Sequence, residues 1–177
     1  MSSLASPERV WWKPLDGREK FWLVLAFVWC MVLFGGMVVW HYSARQNIPT
    51  ETYRTTPAQF SQLSNDFVQK YRIGDEGGIP IVLPPDGGDV YLIARTWQWS
   101  PILQLKKGST YRIHLSSVDL QHGFSLQPGN LNFMVLPEYD YVVTLTPDKA
   151  GEYQIVCNEF CGIGHQTMVG KIKVTEQ

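Results

Sequence analysis

Twenty consecutive residues, Phe21 to Trp40, carry no charged or strongly polar side chain. As a helix rising 1.5 Å per residue, such a run spans roughly 30 Å, the hydrocarbon thickness of a bilayer. A cleavable signal peptide is the competing reading. Its apolar core usually runs only about 7 to 15 residues, and no A-x-A-like site follows here, so a retained transmembrane helix over residues 21–42 is expected. Arg9, Lys13, Arg18 and Lys20 precede the run, while only Arg45 and Arg54 lie shortly after it. The positive-inside rule then puts residues 1–20 in the cytoplasm and the rest of the chain on the outer, or periplasmic, side of the cell membrane. Several of the seven tryptophans flank the run, as membrane-interface anchors do. Cys30 falls mid-helix and reads as a packing residue. Gly35 and Gly36 are small enough for a neighbouring helix to approach closely.

Once the membrane segment is subtracted, about one domain's worth of chain remains to build a core. The net charge is -1, and no basic stripe of the kind that tracks nucleic acid is present, so no nucleic-acid partner is expected. Residues 43–89 read as a linker carrying one short helix. Thr56 is placed to cap it, Pro57 suits its first position, and Phe60, Leu63, Phe67, Val68 and Tyr71 recur at helical spacing up to Arg72. That apolar face is expected to pack on the outer domain or on a partner subunit. Residues 74–89 are rich in Gly and Pro and read as loop, with a brief extended piece at Ile79 to Leu83.

From Val90 to the C-terminus the pattern changes. Val90–Ala94, Ile102–Leu105, Thr110–Ser116, Asn132–Leu136, Tyr141–Thr146, Gly151–Cys157 and Met168–Val174 are short, β-rich and separated by turn residues, which predicts a β-sandwich over 90–177. Tyr111, Ile113 and Leu115 alternate with Arg112 and His114, so one face of that strand is expected to be buried and the other wet, with His114 on the surface.

Residues 157 to 168 read Cys-Asn-Glu-Phe-Cys-Gly-Ile-Gly-His-Gln-Thr-Met. Two thiols, an imidazole and a thioether thus share one loop, expected between the last two strands. His122, expected in an earlier strand-to-strand connection, offers a second imidazole. Thiolate and thioether donors select copper(I), zinc or iron-sulfur centres, and Cys, His and a weak axial Met together mark copper electron-transfer sites. Loops at one end of a sandwich converge, so ligands far apart in sequence can meet. Phe124, Phe160, Ile163 and Val169 are expected to limit solvent around the metal. A disulfide between Cys157 and Cys161 is the alternative that an oxidising compartment suggests.

The stretch from about Val90 to Val174 resembles the CuA domain of subunit II of heme-copper oxygen reductases, the cytochrome c oxidases. Their signature, Cys-x-Glu-x-Cys-Gly-x-x-His-x-x-Met with an upstream His, stands here as Cys157, Glu159, Cys161, Gly162, His165 and Met168, with His122-Gly123 upstream. The resemblance implies a cupredoxin-like Greek-key sandwich or barrel holding two copper ions. Cys157 and Cys161 would be the bridging thiolates, His122 and His165 the terminal imidazoles, Met168 a weak axial ligand, and Glu159 a ligand through its backbone carbonyl. A single membrane helix departs from the commoner two-helix hairpin and is most like the B-type branch. In two-helix relatives the matching glutamate side chain also contacts a magnesium at the subunit interface, a contact that the branch puts in doubt here.

The same resemblance makes Trp97 and Trp99, in the run Ala94 to Pro101, the candidates for receiving electrons from the donor; a core role for either is the plain alternative. It implies a soluble donor such as a cytochrome c, and a membrane-embedded subunit I whose heme takes the electrons for reduction of oxygen to water with proton translocation. No residue of this chain is assigned a bond-breaking, catalytic role. Asp119, Glu138, Asp140 and Glu152 are acidic residues that a basic donor could use. Alternatives stay open at this level. A one-copper carrier needs one Cys, two His and one Met and leaves a second Cys idle. A thioredoxin-like copper chaperone carries Cys-x3-Cys behind an anchor, but much of its domain follows the motif. A nitric oxide reductase subunit would share the copper site and differ only in the final acceptor.

Overall fold

The computed structural model describes residues 14–43 and 49–176. Arg9, Lys13 and Arg45, on which the expected membrane orientation partly rests, lie outside them. Two compact units form, Met1–Gln46 and Asn47–Gln177. The first contains one helix, α1 (Gly17–Ser43). Asp16 and Glu19 cap its start reciprocally, the Glu19 backbone N–H donating to Asp16 Oδ1 at 2.8 Å and the Asp16 N–H to Glu19 Oε2 at 3.0 Å, which satisfies otherwise orphaned donors. No residue of α1 is buried within the chain. It is long and apolar enough to cross a membrane, and its surface is the kind that lipid or another helix covers.

Among the described residues, the second unit is two packed sheets, one α-helix and a 3-10 turn at His165–Thr167. One sheet has the order β1 (Glu51–Arg54), β10 (Tyr139–Leu145), β7 (Tyr111–Ser117), β4 (Asp89–Arg95), β5 (Gln98–Ser100). The other runs β2 (Arg72–Glu76), β3 (Ile79–Val82), β6 (Ile102–Lys106), β12 (Val169–Thr175), β11 (Gly151–Val156), β8 (His122–Gln127), β9 (Leu131–Val135). Pairing is antiparallel except for β3 with β6, β6 with β12 and β4 with β7. Leu92, Trp99, Leu115, Phe124, Ile155 and Ile172 are among the side chains that fill the space between the sheets. Burying each such large apolar side chain is worth about 1.5–3 kcal/mol.

All seven expected strands are present, and the helix α2 (Pro57–Tyr71) starts where its cap was expected, with Thr56 Oγ1 accepting from the Gln59 N–H at 3.2 Å. Three expectations are corrected. Residues 43–89 are not a linker ahead of the domain: β1 joins one sheet, β2 and β3 the other, and the compact unit begins at Asn47. β3 matches the extended piece expected at Ile79 to Leu83, whereas β1 and β2 are short edge strands of mixed polarity that give little periodic signal. His122 is not in a connection but is the first residue of β8, paired with Val135.

His114 is not on the surface. Phe60 and Phe67 of α2 lie on the Tyr91 ring at 5.9 and 5.7 Å, so α2 covers the face of the β4–β7 pair that alternation had assigned to water. Tyr91 in turn stacks on His114 at 4.8 Å, and the histidine is left only 8% exposed.

Candidate metal centre

Three strands deliver the donors to one end of the sandwich. β11 runs antiparallel to both β8 and β12, so the start of β8 and the β11–β12 connection meet at the same tip. The connection is closed by the Cys157 N–H donating to the Met168 carbonyl at 3.1 Å. Within it, the His165, Thr167 and Met168 N–H groups donate to the Gly162, Gly164 and His165 carbonyls at 3.1, 2.9 and 3.1 Å. Asn158 Nδ2 ties the same connection to β9 by donating to Asn132 Oδ1 at 2.9 Å. A side chain at Gly123 would place its Cβ 2.0 Å from Asn158 Oδ1 and 2.7 Å from the Glu159 nitrogen. Only glycine lets β8 pass this close to the loop, which gives the His122-Gly123 step a physical reason.

All six sequence-predicted ligand residues converge. His122, Cys157 and Cys161 bring their donor atoms within 4.8 Å of one another. The two Sγ atoms are 3.8 Å apart and both thiols are free, so the pair is not a disulfide in this structure. His122 Nδ1 is 3.9 Å from Cys157 Sγ, which also lies 3.3 Å from the Glu159 carbonyl oxygen. His165 Nδ1 and Met168 Sδ are each 3.7 Å from Cys161 Sγ. The donors therefore divide into two sets, an imidazole and a weak donor beside each sulfur. His122, Cys157, Cys161 and Met168 are all buried. Burial, with Cys157 alongside, pushes the Cys161 thiol up to about 11; two bare thiols in contact resist ionising, and a soft cation that takes both as thiolates removes that cost. The donor set fits copper on its chemistry.

Asp119 is the functional residue that sequence reasoning placed wrongly, as one of several acids facing a donor. Its Oδ1 accepts from His122 Nε2 at 2.8 Å and from the Leu120 N–H at 2.6 Å, and its Oδ2 accepts from the Thr96 N–H and hydroxyl, each at 2.7 Å. Burial by itself would raise this carboxyl, but the bonds from His122, Thr96 and Leu120 together outweigh it and hold the group well below the usual carboxylate range. A proton kept on Nε2 leaves the Nδ1 lone pair facing the sulfurs. The Asp-x-x-His spacing was the available signal.

Of the two tryptophans, Trp97 touches the loop: its Nε1–H donates to the Cys161 carbonyl at 3.2 Å, and the residue is 43% exposed. Trp99 is buried, edge-on to His122 at 6.3 Å and to Phe124 at 5.5 Å. The expected apolar shield holds only in part. Phe124 is fully buried, but Phe160, Ile163 and Val169 are 76%, 90% and 50% exposed. These three side chains form a rim rather than a lid.

No family model matches the chain. It is 37% identical over 93 residues to the cytochrome c oxidase subunit 2 of Thermus thermophilus, a match covering 52% of this chain and 69% of that relative. Among solved structures, a chain of a heme-copper terminal oxidase dimer superposes with a TM-score of 0.55 at 24% identity, covering 89% of this chain and 99% of that one. A rusticyanin superposes with a TM-score of 0.50 at 17% identity, covering 72% of this chain and all of its own. Both structural likenesses speak to the fold, a cupredoxin sandwich.

Proposed function

The chain belongs to the cytochrome c oxidase subunit 2 family, and from that membership we propose that it is the electron-accepting subunit of a terminal oxidase of the single-helix, B-type branch. The observation that carries the reading is the division of donors around two unpaired thiols, with His122 and the Glu159 carbonyl beside Cys157, and His165 and Met168 beside Cys161. Two copper ions would suit that arrangement, held by Cys157 and Cys161 together with His122, His165, Met168 and the Glu159 carbonyl. A single copper, which takes one Cys, two His and one Met, would leave one thiol and the Glu159 carbonyl without a role. When bound, the dinuclear centre supplies one-electron uptake and release with the charge shared over two metals.

The chain's own residues supply the rest. β8, β11 and β12 fix the donors, so little rearrangement accompanies a change of charge. Asp119 holds the His122 tautomer. Buried sulfurs and the buried His122 keep water from the centre. Trp97, with one part of its ring exposed and its N–H on the Cys161 carbonyl, is where electrons arrive; Trp99 backs His122 from inside the core. None of these residues breaks a bond in a substrate, and the chain contributes to the enzyme by electron transfer alone.

The donor, a soluble cytochrome c, docks on the metal tip. Phe160, Ile163, Leu120 and Met134 are exposed there, the apolar surface that marks an interaction site. Three of the four acids that a basic donor could use are engaged elsewhere, Asp119 with His122, Asp140 with His114 at 2.7 Å and Glu152 with Lys171 at 3.2 Å, which leaves Glu138. Donor oxidation is accordingly expected to change little with ionic strength, and a steep fall with salt would point to charge steering instead. The partner that receives the electrons is the membrane-embedded subunit I, whose heme reduces oxygen to water while protons are translocated. Helix α1 crosses the plasma membrane once, with the N-terminus cytoplasmic and the copper domain outside.

The test is the electron paramagnetic resonance spectrum of the full chain loaded with copper. Two coppers per chain and hyperfine splitting shared between two nuclei are expected. Splitting from one nucleus, at one copper per chain, would overturn the dinuclear reading.

A further inference from the structure

On either side of the exposed Ile163, Gly162 and Gly164 leave a trough in the ligand loop, and the Trp97 indole lies in it. A Cβ built on Gly164 falls 2.3 Å from Trp97 Cδ2, 2.6 Å from Cε3 and 2.7 Å from Cγ. No real side chain fits at that distance, so the ring rests directly on the Gly164 backbone. At Gly162, whose φ is +109°, a Cβ would meet Trp97 Nε1 at 3.6 Å and Cζ2 at 3.7 Å, ordinary contact with the other end of the ring. The indole N–H then reaches the Cys161 carbonyl at 3.2 Å. The backbone at Cys161, Gly162 and Gly164 is thereby covered by one rigid side chain. On the far side, the Thr96 N–H and hydroxyl bind Asp119, the residue that holds His122.

We propose that Trp97 is a positioning residue that clamps the Cys161–His165 segment, and that Gly164 is the position that admits the clamp. The residue pair Thr96-Trp97 acts through its neighbours on both halves of the donor set: Thr96 reaches His122 through Asp119, and Trp97 reaches Cys161 and His165 through the loop backbone. The inference rests on the copper reading of the site for its purpose, but the clamp itself is a property of the metal-free chain. It differs from the electron-receiving role of the same ring, because that role needs the aromatic face and the clamp needs the indole N–H and the empty trough.

Trp97→Phe keeps a ring and removes the donor. Gly164→Ala keeps the donor and fills the trough. Both positions lie outside the core between the sheets, so neither change removes packing from it. In the reduced, metal-free full chain in detergent, the Trp97 indole N–H should exchange with solvent about tenfold or more slowly than an unprotected indole, and Gly164→Ala should abolish that protection. In the copper-loaded chain, Trp97→Phe and Gly164→Ala should each speed copper loss to a chelator by about tenfold, and the double variant should add little to either, since both remove one device. An indole N–H exchanging freely in the unaltered chain would overturn the clamp. So would copper loss unchanged in both variants, even if Trp97→Phe slowed donor oxidation, a result that leaves the electron-receiving role standing alone. If the unaltered chain held no copper, the proposed function would fail, and the exchange measurement would still decide the clamp.

Discussion

His122 and His114 are both buried, and each is bonded to an aspartate, at 2.8 Å to Asp119 and 2.7 Å to Asp140. Their second nitrogens face opposite chemistry. His122 turns Nδ1 to Cys157 Sγ at 3.9 Å, so the aspartate on its other side orients the ring with this nitrogen toward the sulfurs. His114 turns Nε2 to a second carboxylate, Asp89 Oδ1 at 3.5 Å, too long for a good hydrogen bond but close for an ion pair. Burial would lower the His114 value, yet Asp140, by hydrogen bond and charge, and then Asp89 outweigh it and raise it. One histidine is prepared to give electrons to a cation, and the other to be a cation. An aspartate partner therefore says that a buried histidine is held; what lies at the remaining nitrogen says what it is held for.

Removing each imidazole separates the two regions by the largest margin. His122→Ala is expected to weaken copper binding by more than the roughly 10- to 100-fold that loss of an outer partner costs, with the fold retained. His114→Ala is expected to cost about 3–5 kcal/mol of folding stability, because it strands Asp140 in a buried site, with copper binding unchanged. Copper titration and thermal unfolding of the full chain measure the two losses. Equal copper loss in both variants would erase the distinction.

Changing the aspartates instead should sharpen the contrast at smaller scale. Asp119→Asn keeps the shape but frees the His122 tautomer, and copper affinity is expected to fall about 10- to 100-fold with stability little changed. Asp140→Asn is expected to cost about 1–3 kcal/mol of stability and to leave copper affinity alone. Competition against a copper chelator reads the first and chemical denaturation the second; a copper defect in Asp140→Asn would tie the two regions together.

The two histidines also mark where the sequence was legible. His122 was found because Gly123 beside it and the loop from Cys157 to Met168 form a local pattern whose chemistry survives without coordinates. All seven expected strands were read from alternation and turn residues, and α2 from Thr56, Pro57 and its apolar spacing. His114 was misread because alternation reports only that a strand has two faces. Which face is dry depends on α2, whose Phe60 and Phe67 arrive from residues thought to lie outside the domain. Asp119 was missed for the same reason: its bonds to Thr96 and His122 form only when the β4–β5 turn and the start of β8 meet. Phe160 and Ile163 were placed inward by composition, whereas they lie exposed on the ligand loop.

The smallest effect is one of pH, and its sign follows from the charged groups around His114. Asp140 faces it from β10 and Asp89 from β4, while Arg112, two residues before it on β7, shares Asp89 at 3.2 Å and Glu51 of β1 at 2.8 Å. Tyr91, stacked on the ring, has its phenol raised by burial and then by Asp89 and Asp140, so it stays neutral and adds no charge near neutral pH. A folded-state value for His114 above the ordinary 6.5 means that the native state holds its proton more tightly than the unfolded chain. Its contribution to stability is complete below about 6.5, the unfolded value, and fades as pH rises through the raised one. The unfolding midpoint of the unaltered chain should therefore exceed that of His114→Gln most at mildly acidic pH, and the gap should narrow toward alkaline pH. A gap constant across that window would mean that His114 holds its proton equally in the folded and unfolded chain, and a gap that widened toward alkaline pH would mean that the fold keeps it neutral; either outcome removes the ion pair with Asp140 and Asp89 as a source of stability.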